Sequence, residues 1–213
     1  MIHQRRPDLT PSRDDIRPFT SSGFYWHEPD KPHPHIRTAD DWWTGVRPIL
    51  ERAFTKGGLA PSEVQSAVDE FRIEFIKPNR WRLCDDAMPA LDLLKDYGWS
   101  HILLTNHIPE LEPILDYLGL NQRFKEVFNS AWTGYEKPHP EAFRQILNRF
   151  DAETKVVWMI GDSFKADIRG AEAAGIRSIL VRNVHPEART SAANLMEAAR
   201  ILLDEHLRCE ANV

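Results

Sequence analysis

Residues 156–167 read Val-Val-Trp-Met-Ile-Gly-Asp-Ser-Phe-Lys-Ala-Asp, an apolar run that stops at Gly161-Asp162, with a second acid, Asp167, five positions further on. A short continuous apolar run is the pattern of a strand buried on both faces of a parallel sheet. Such sheets present functional groups at the carboxyl ends of their strands. The segment therefore points to an α/β fold and puts a carboxylate on the functional edge. Two acids close together suit a hard divalent cation such as Mg²⁺. A strand, a turn and a helix N-cap that happens to be Asp162 is the alternative this segment leaves open.

Two upstream features favour the site. His101-Ile102-Leu103-Leu104-Thr105-Asn106 is a second apolar strand, and it ends in a hydroxyl and an amide. Gly134-Tyr135-Glu136-Lys137-Pro138-His139-Pro140 then sets a lysine in a proline-bounded loop ahead of a helical pattern. Around a phosphoryl oxygen, a hydroxyl donates, an ammonium neutralises and a carboxylate-held metal bridges. Thr105, Lys137, Asp162 and Asp167 supply those groups in order. Singly, each has an ordinary reading: a turn-forming Thr, a solvated loop Lys and, for Asp167, a first-turn helix acid.

The chain divides in two by pattern. Residues 1–8 read as a ragged end. Helical spacing with one apolar face runs through Trp42, Val46, Ile49, Leu50 and Ala53, and again through Val64, Ala67, Val68, Phe71 and Phe75, with Gly57-Gly58 between. From residue 85 helices and strands alternate: strands are expected at 101–105, 127–128, 156–160 and 176–181, each followed or preceded by a helix. That alternation implies a parallel sheet covered on both faces.

Charge and cysteine content exclude several classes. The net charge is −5 with no basic stripe, which argues against a general nucleic-acid binder. No apolar run reaches membrane-spanning length, and Met1 to Asp8 does not have the pattern of a signal peptide. Cys84 and Cys209 lie far apart and imply no disulfide framework, so a reducing cytoplasm is the expectation. The aromatic and His-rich stretch Phe24 to His35 reads as an extended loop over the site. A metal site at His33 and His35 is the weaker alternative, since such sites need further ligands at set spacing. His107 is placed either at the pocket or facing solvent.

Thr105-Asn106, Lys137 within Glu136-Lys137-Pro138, and Gly161-Asp162 with Asp167 together resemble the second, third and fourth motifs of the haloacid dehalogenase (HAD) superfamily, subfamily I. The resemblance covers about residues 87 to 183. It extends more weakly over the helical first part, which is similar to the cap such proteins insert after their first strand. It implies a Rossmann-like core over residues 85–213 and a helical cap over residues 1–84. It also implies phosphoryl transfer through an aspartyl-phosphate with Mg²⁺, on a small phosphorylated metabolite. Asp162 is then a metal ligand, and Asp167 a second ligand or an orienting carboxylate. Lys137 and Thr105 hold the phosphoryl group, with Ser163 and the Asn106 backbone N–H contributing. Oligomeric state is not readable.

One family motif has no counterpart. The Asp-x-Asp-x-Thr that carries nucleophile and acid/base is not found: Asp8-Leu9-Thr10 follows no apolar strand, and Asp14-Asp15, Asp40-Asp41 and Asp85-Asp86 are adjacent pairs. Neighbouring residues on a strand point to opposite faces, so such pairs do not converge on one metal. In the family that strand lies between those matching 101–105 and 156–160. A central vacancy is therefore expected, with roughly 20 to 35 residues of a longer natural chain outside this sequence. Little phosphatase activity follows for this polypeptide alone. A non-catalytic binding or regulatory protein is the alternative. A halide-removing enzyme fits less well, because Gly161-Asp162 is intact. A receiver-type domain is disfavoured, because its acids precede its Thr and Lys. The in-frame DNA before Met1 tests the expectation. It should encode an apolar run ending in Asp-x-Asp-x-Thr, and an immediate stop codon would remove the idea.

Overall fold

A computed structural model describes residues 2–9 and 11–210. Met1, Thr10 and the Cys209 side chain, which entered the sequence reading, lie outside what is described. The N-terminal stretch is more ordered than a ragged end. It forms α1 (Ile2–Arg5) and α2 (Arg13–Thr20). Arg5 fastens α1 by hydrogen bonds to Glu70 at 2.9 Å and Ser66 at 2.8 Å. Those partners lie more than sixty residues away, so no local pattern announces the helix.

α3 (Ala39–Lys56) and α4 (Pro61–Phe75) form where the apolar spacing places them. Thr38 and Asp41 close a capping box at the start of α3, with N–H to side-chain oxygen distances of 3.0 and 3.1 Å. Pro61 opens α4, where its missing N–H costs nothing. Their inner faces bury Trp42, Val46, Ile49, Leu50, Val64 and Val68 in one cluster that also takes in Ile108, Ile114 and Ala131. A polar tie runs alongside. Glu110 accepts from Trp43 Nε1 at 3.0 Å and from Arg72 at 3.1 Å. The helical segment and the α/β part therefore share an apolar core.

The α/β part runs α5 (Ala87–Asp96), β1 (Ile102–Thr105), α6 (Leu111–Tyr117), β2 (Glu126–Asn129), α7 (Ser130–Thr133) and α8 (Pro140–Phe150). It continues with β3 (Trp158–Gly161), a π-helical turn at Phe164–Arg169 that runs into α9 (Gly170–Ala173), β4 (Arg177–Val181), β5 (Ser191–Ala192) and α10 (Leu195–Glu210). The third strand starts later than the apolar run, because Thr154–Val156 is a 3-10 turn that leaves Val156 exposed. It is also one residue longer at its other end, taking in Gly161.

Among the described residues all ladders are parallel, and they form two sheets. β1 pairs with β2, Leu103 opposite Val127. β3 pairs with β4, and β4 with β5. No ladder joins β1 to β3. Burial follows this division. Ser178 to Val181 of β4 are buried, whereas every residue of β1 and β3 is only half-buried. In a parallel sheet covered on both faces, inner strands are buried throughout, so β1 and β3 behave as edges. The orientation of β1 shows which edge is open. The Lys125 N–H donates to His101 O at 2.8 Å on the β2 side. Alternation of backbone direction along a strand then turns the Leu104 carbonyl to the opposite side.

A second apolar cluster sits behind the second sheet. Ile179, Val181, Ala198, Ala199 and Leu202 pack α10 and α5 onto β4. Among the described residues no helix is long and apolar enough to cross a membrane. Asp86 anchors the start of α10. Its Oδ2 accepts the Leu195 N–H at 2.6 Å, and its Oδ1 pairs with Arg182. Desolvation pushes this carboxyl upward, but the Leu195 N–H and the Arg182 guanidinium outweigh it and hold the pKa below the ordinary value. A carboxyl depressed in the folded state stabilises above its unfolded pKa of about 3.9, and the contribution fades as pH falls through the folded value. Asp86→Asn is expected to lower stability by about 1 kcal/mol at neutral pH. The gap to wild type should close progressively below about pH 4. Urea unfolding across that range measures it, and a gap independent of pH would contradict the assignment.

Candidate active site

Thr105 ends β1, and the chain leaves the strand at Asn106. The Asn106 side chain grips the lysine loop at two points. Its Oδ1 accepts the Lys137 N–H at 2.8 Å, and its Nδ2 donates to Lys137 O at 3.0 Å. A side-chain amide that meets both polar groups of one residue fixes that residue's position as a ladder would. The expectation for Asn106 concerned its backbone N–H. The side-chain clasp carries no sequence signal, because the two residues are 31 positions apart.

Lys137 then points its ammonium between the two sheets. Nζ donates to Leu104 O at 2.8 Å, on the open edge of β1, and to Asp167 Oδ1 at 2.7 Å. Asp167 Oδ2 accepts the Ser163 N–H at 2.9 Å. This carboxylate is buried, and it lies so close to the end of β3 that a Cβ at Gly161 would stand 2.3 Å from Oδ2. The glycine in Gly161-Asp162 is therefore required by the approach of Asp167. Lys137 and Asp167 together tie the carboxyl ends of β1 and β3, where no ladder does.

The neighbouring acid is placed differently. Asp162 is exposed at the pocket rim, and its backbone carbonyl accepts from Asn183 Nδ2. The N-cap of the following π-helical turn is Ser163, whose Oγ accepts the Ala166 N–H at 3.1 Å. This removes the reading of Asp162 as a cap, and the residue lines the pocket.

Thr105, Asn106, Lys137, Asp162, Ser163 and Asp167 line one pocket of about 430 Å³, together with Lys165, Trp26 and Pro29. That size suits a small ligand. A depression of about 490 Å³ walled by Lys95, Asp116, Asn121 and Arg123 holds none of the strand-end groups. Trp26 and Pro29 come from the stretch 24–35, so this loop does reach the site. Lys165 was not singled out from sequence, because an exposed helical lysine looks like any solvated cation.

The donor set is suited to a hard cation. Mg²⁺ uses one or two carboxylates and completes its shell with water and substrate oxygens. Asp162 is the carboxylate open to such an ion, whereas both oxygens of Asp167 already accept hydrogen bonds. Among the described residues no group of three His, Cys, Asp or Glu side chains is placed to hold a metal. His33 and His35 make no metal site: His33 is buried against Glu136, and His35 is exposed. His107 is outside the pocket lining and half-buried, its ring 4.9 Å from that of Trp81. Burial pushes its pKa below the ordinary value, opposed in part by the Ile108 carbonyl.

A family model described as haloacid dehalogenase-like hydrolase matches residues 23–175. The chain is 32% identical over 159 residues to a phosphoserine phosphatase of Thermus thermophilus, an alignment covering 72% of this chain and 62% of that protein. It is 28% identical over 153 residues to haloacid dehalogenase-like hydrolase domain-containing protein 3 of Bos taurus, covering 71% and 60%. The chain thus spans about three fifths of the length of these relatives. Among solved structures, that of the putative HAD-hydrolase YfnB from Bacillus subtilis bound to magnesium superposes with a TM-score of 0.69 at 19% identity. The superposition covers 95% of this chain and 87% of that one, and it shows the shared fold.

The Lys137–Asp167 pair is largely buried, so removing one partner strands the other. Lys137→Met is expected to destabilise the protein by about 3 kcal/mol, the range for breaking a buried ion pair. Adding Asp167→Asn should recover part of that loss. Urea unfolding of both single variants and the double variant measures the coupling. Additive losses would show that the two side chains do not depend on one another.

Proposed function

The chain belongs to the haloacid dehalogenase-like hydrolase family, and from that premise we propose that it carries the phosphoryl- and metal-binding half of a Mg²⁺-dependent phosphatase for a small phosphorylated metabolite. The observation that carries this reading is the meeting of Thr105, Lys137 and Asp162 in one pocket at the carboxyl ends of β1 and β3. In this reading the Thr105 hydroxyl donates to a phosphoryl oxygen, and the Lys137 ammonium sets a positive charge beside it. Asp162, assisted by Asp167, holds a Mg²⁺ ion, which supplies Lewis-acid stabilisation of the phosphoryl oxygens. Asn106 keeps the lysine loop in place.

The nucleophile is proposed to arrive on a strand that pairs with the open edges of β1 and β3. Its carboxyl end would deliver an Asp-x-Asp to the pocket. Support comes from two half-buried strands with no ladder between them, and from the want of a third carboxylate beside Asp162 and Asp167 among the described residues. The helical segment, residues 1–84, serves as the cap over the core, residues 85–213. Its loop at 24–35 reaches the pocket with Trp26 and Pro29. A cytoplasmic setting is in keeping with the free, exposed thiol of Cys84. A small anionic substrate, rather than a nucleic acid or a membrane, accords with the acidic surface and the modest pocket.

Turnover of p-nitrophenyl phosphate tests this. The 213-residue polypeptide should hydrolyse it no faster than background. The same polypeptide preceded by an apolar strand ending in Asp-x-Asp-x-Thr should show Mg²⁺-dependent hydrolysis. In that extended form Asp162→Ala should abolish metal dependence, and Thr105→Ala should lower kcat by about 10²-fold, the usual effect of losing one transition-state donor. Robust hydrolysis by the shorter polypeptide would overturn the part played by the added strand. Phosphate binding without turnover in the longer one would favour the non-catalytic alternative.

A further inference from the structure

The loop at 24–35 meets the lysine loop through a buried polar pair. His33 is 2% exposed, and Glu136, the residue before Lys137, is 1% exposed. Nε2 of the histidine lies 3.1 Å from Oε1 of the glutamate. The far atoms of both side chains, His33 Nδ1 and Glu136 Oε2, have no hydrogen-bond partner. A half-satisfied buried pair of this kind is costly, and apolar side chains of similar volume commonly replace such pairs without loss. Stability alone does not account for it.

Its placement does. The His33 N–H donates to Gly134 O at 2.9 Å. Gly134 has φ +79°, and a Cβ there would stand 2.8 Å from Pro34 Cα, so the two backbones touch. The Tyr25 ring lies 4.4 Å from that of His33 on the other side. On one side of this junction are the pocket wall residues Trp26 and Pro29. On the other is Lys137, already clasped by Asn106. We infer that His33 and Glu136 are positioning residues that join the wall of the pocket to its lysine, so that both are placed or released as one unit. A joint built from a directional hydrogen bond fixes relative orientation, whereas an apolar contact tolerates sliding. That difference accounts for a polar pair in an otherwise apolar junction.

Hydrogen–deuterium exchange of the full chain tests this without any assay of activity. Glu136→Gln is nearly isosteric and exchanges one carboxyl oxygen for an amide NH₂, which weakens the pairing with His33 while changing little else. His33→Gln is the companion variant, and Glu136→Gln carries the test should His33→Gln fail to fold. Amides within residues 31–36 and 134–139 are expected to exchange about tenfold faster, in step with one another, as for weakening of one buried hydrogen bond. Amides of β4 should keep the wild-type rate. Faster exchange in one segment only, equal acceleration across β4, or no change in either segment would each overturn the inference. A second measurement rests on the phosphatase reading: in the presence of Mg²⁺, inorganic phosphate should bind Glu136→Gln roughly tenfold more weakly than wild type, although Glu136 does not line the pocket. Wild type that binds no phosphate counts against that reading, and the exchange result then decides the inference on its own.

Discussion

One ammonium group holds the functional edge of this molecule together. Lys137 Nζ is shared between the Leu104 carbonyl and the Asp167 carboxylate, at 2.8 and 2.7 Å. Elsewhere the sheets are organised by backbone ladders, but between β1 and β3 there is none. A charge-assisted hydrogen bond is stronger than a neutral one, and this one spans the gap at the end where the site lies. The consequences run outward from it. Asp167 must approach the end of β3, so residue 161 must be glycine. Ser163 must donate its N–H to Asp167 and accept the Ala166 N–H as helix cap. Asp162 is thereby left out of the cap and lines the pocket.

The apolar clusters explain why this polar arrangement is stable. β4 is packed between β3 and β5 and is covered by α5 and α10, so one sheet has a firm centre. β1 lies outside it and is supported from another direction. Leu103 packs with Leu111 and Leu115 of α6, while Ile108 and Ile114 join the cluster built on Trp42. The helical segment therefore does more than cover the pocket. It supplies the apolar surface that keeps β1 and the loop after Thr105 in place, and the Glu110 contacts to Trp43 and Arg72 fix its angle.

Much of this was legible in the sequence where local pattern and energetics coincide. α3 and α4 lie where one-faced apolar spacing puts them, because each buries much of that face. Thr105 and Asp162 fall at strand ends because an apolar run terminates where the buried sheet does. The order of Thr105, Lys137 and Asp162 sufficed to expect their convergence. Contacts between distant residues were not legible. The Asn106 clasp, the His33–Glu136 pair and the Arg5 anchor of α1 join positions 31, 103 and 65 residues apart, and neither partner looks unusual alone. β3 starts two residues after its apolar run, because Val156 ends a 3-10 turn and Val157 follows it, although both have strand-like side chains. Apolarity alone does not separate a buried strand from the turn that leads into it.

The charges lining the pocket bear on its need for a metal. The positive charge of Lys137 is already matched by Asp167, in direct contact. Of the other charged groups on the wall, Lys165 is positive and Asp162 negative, so these offset one another as well. A phosphate monoester carrying about two negative charges would thus enter a pocket with almost no net attraction for it. The helix-end dipoles cannot make up the difference, since their equivalent charge is only about half a unit. A divalent cation held by Asp162, as proposed, would change the balance by two units. The arrangement makes sense as an anion site only once that ion is counted. On the proposed reading, Asp162 rather than Lys137 would therefore be the residue on which substrate binding turns.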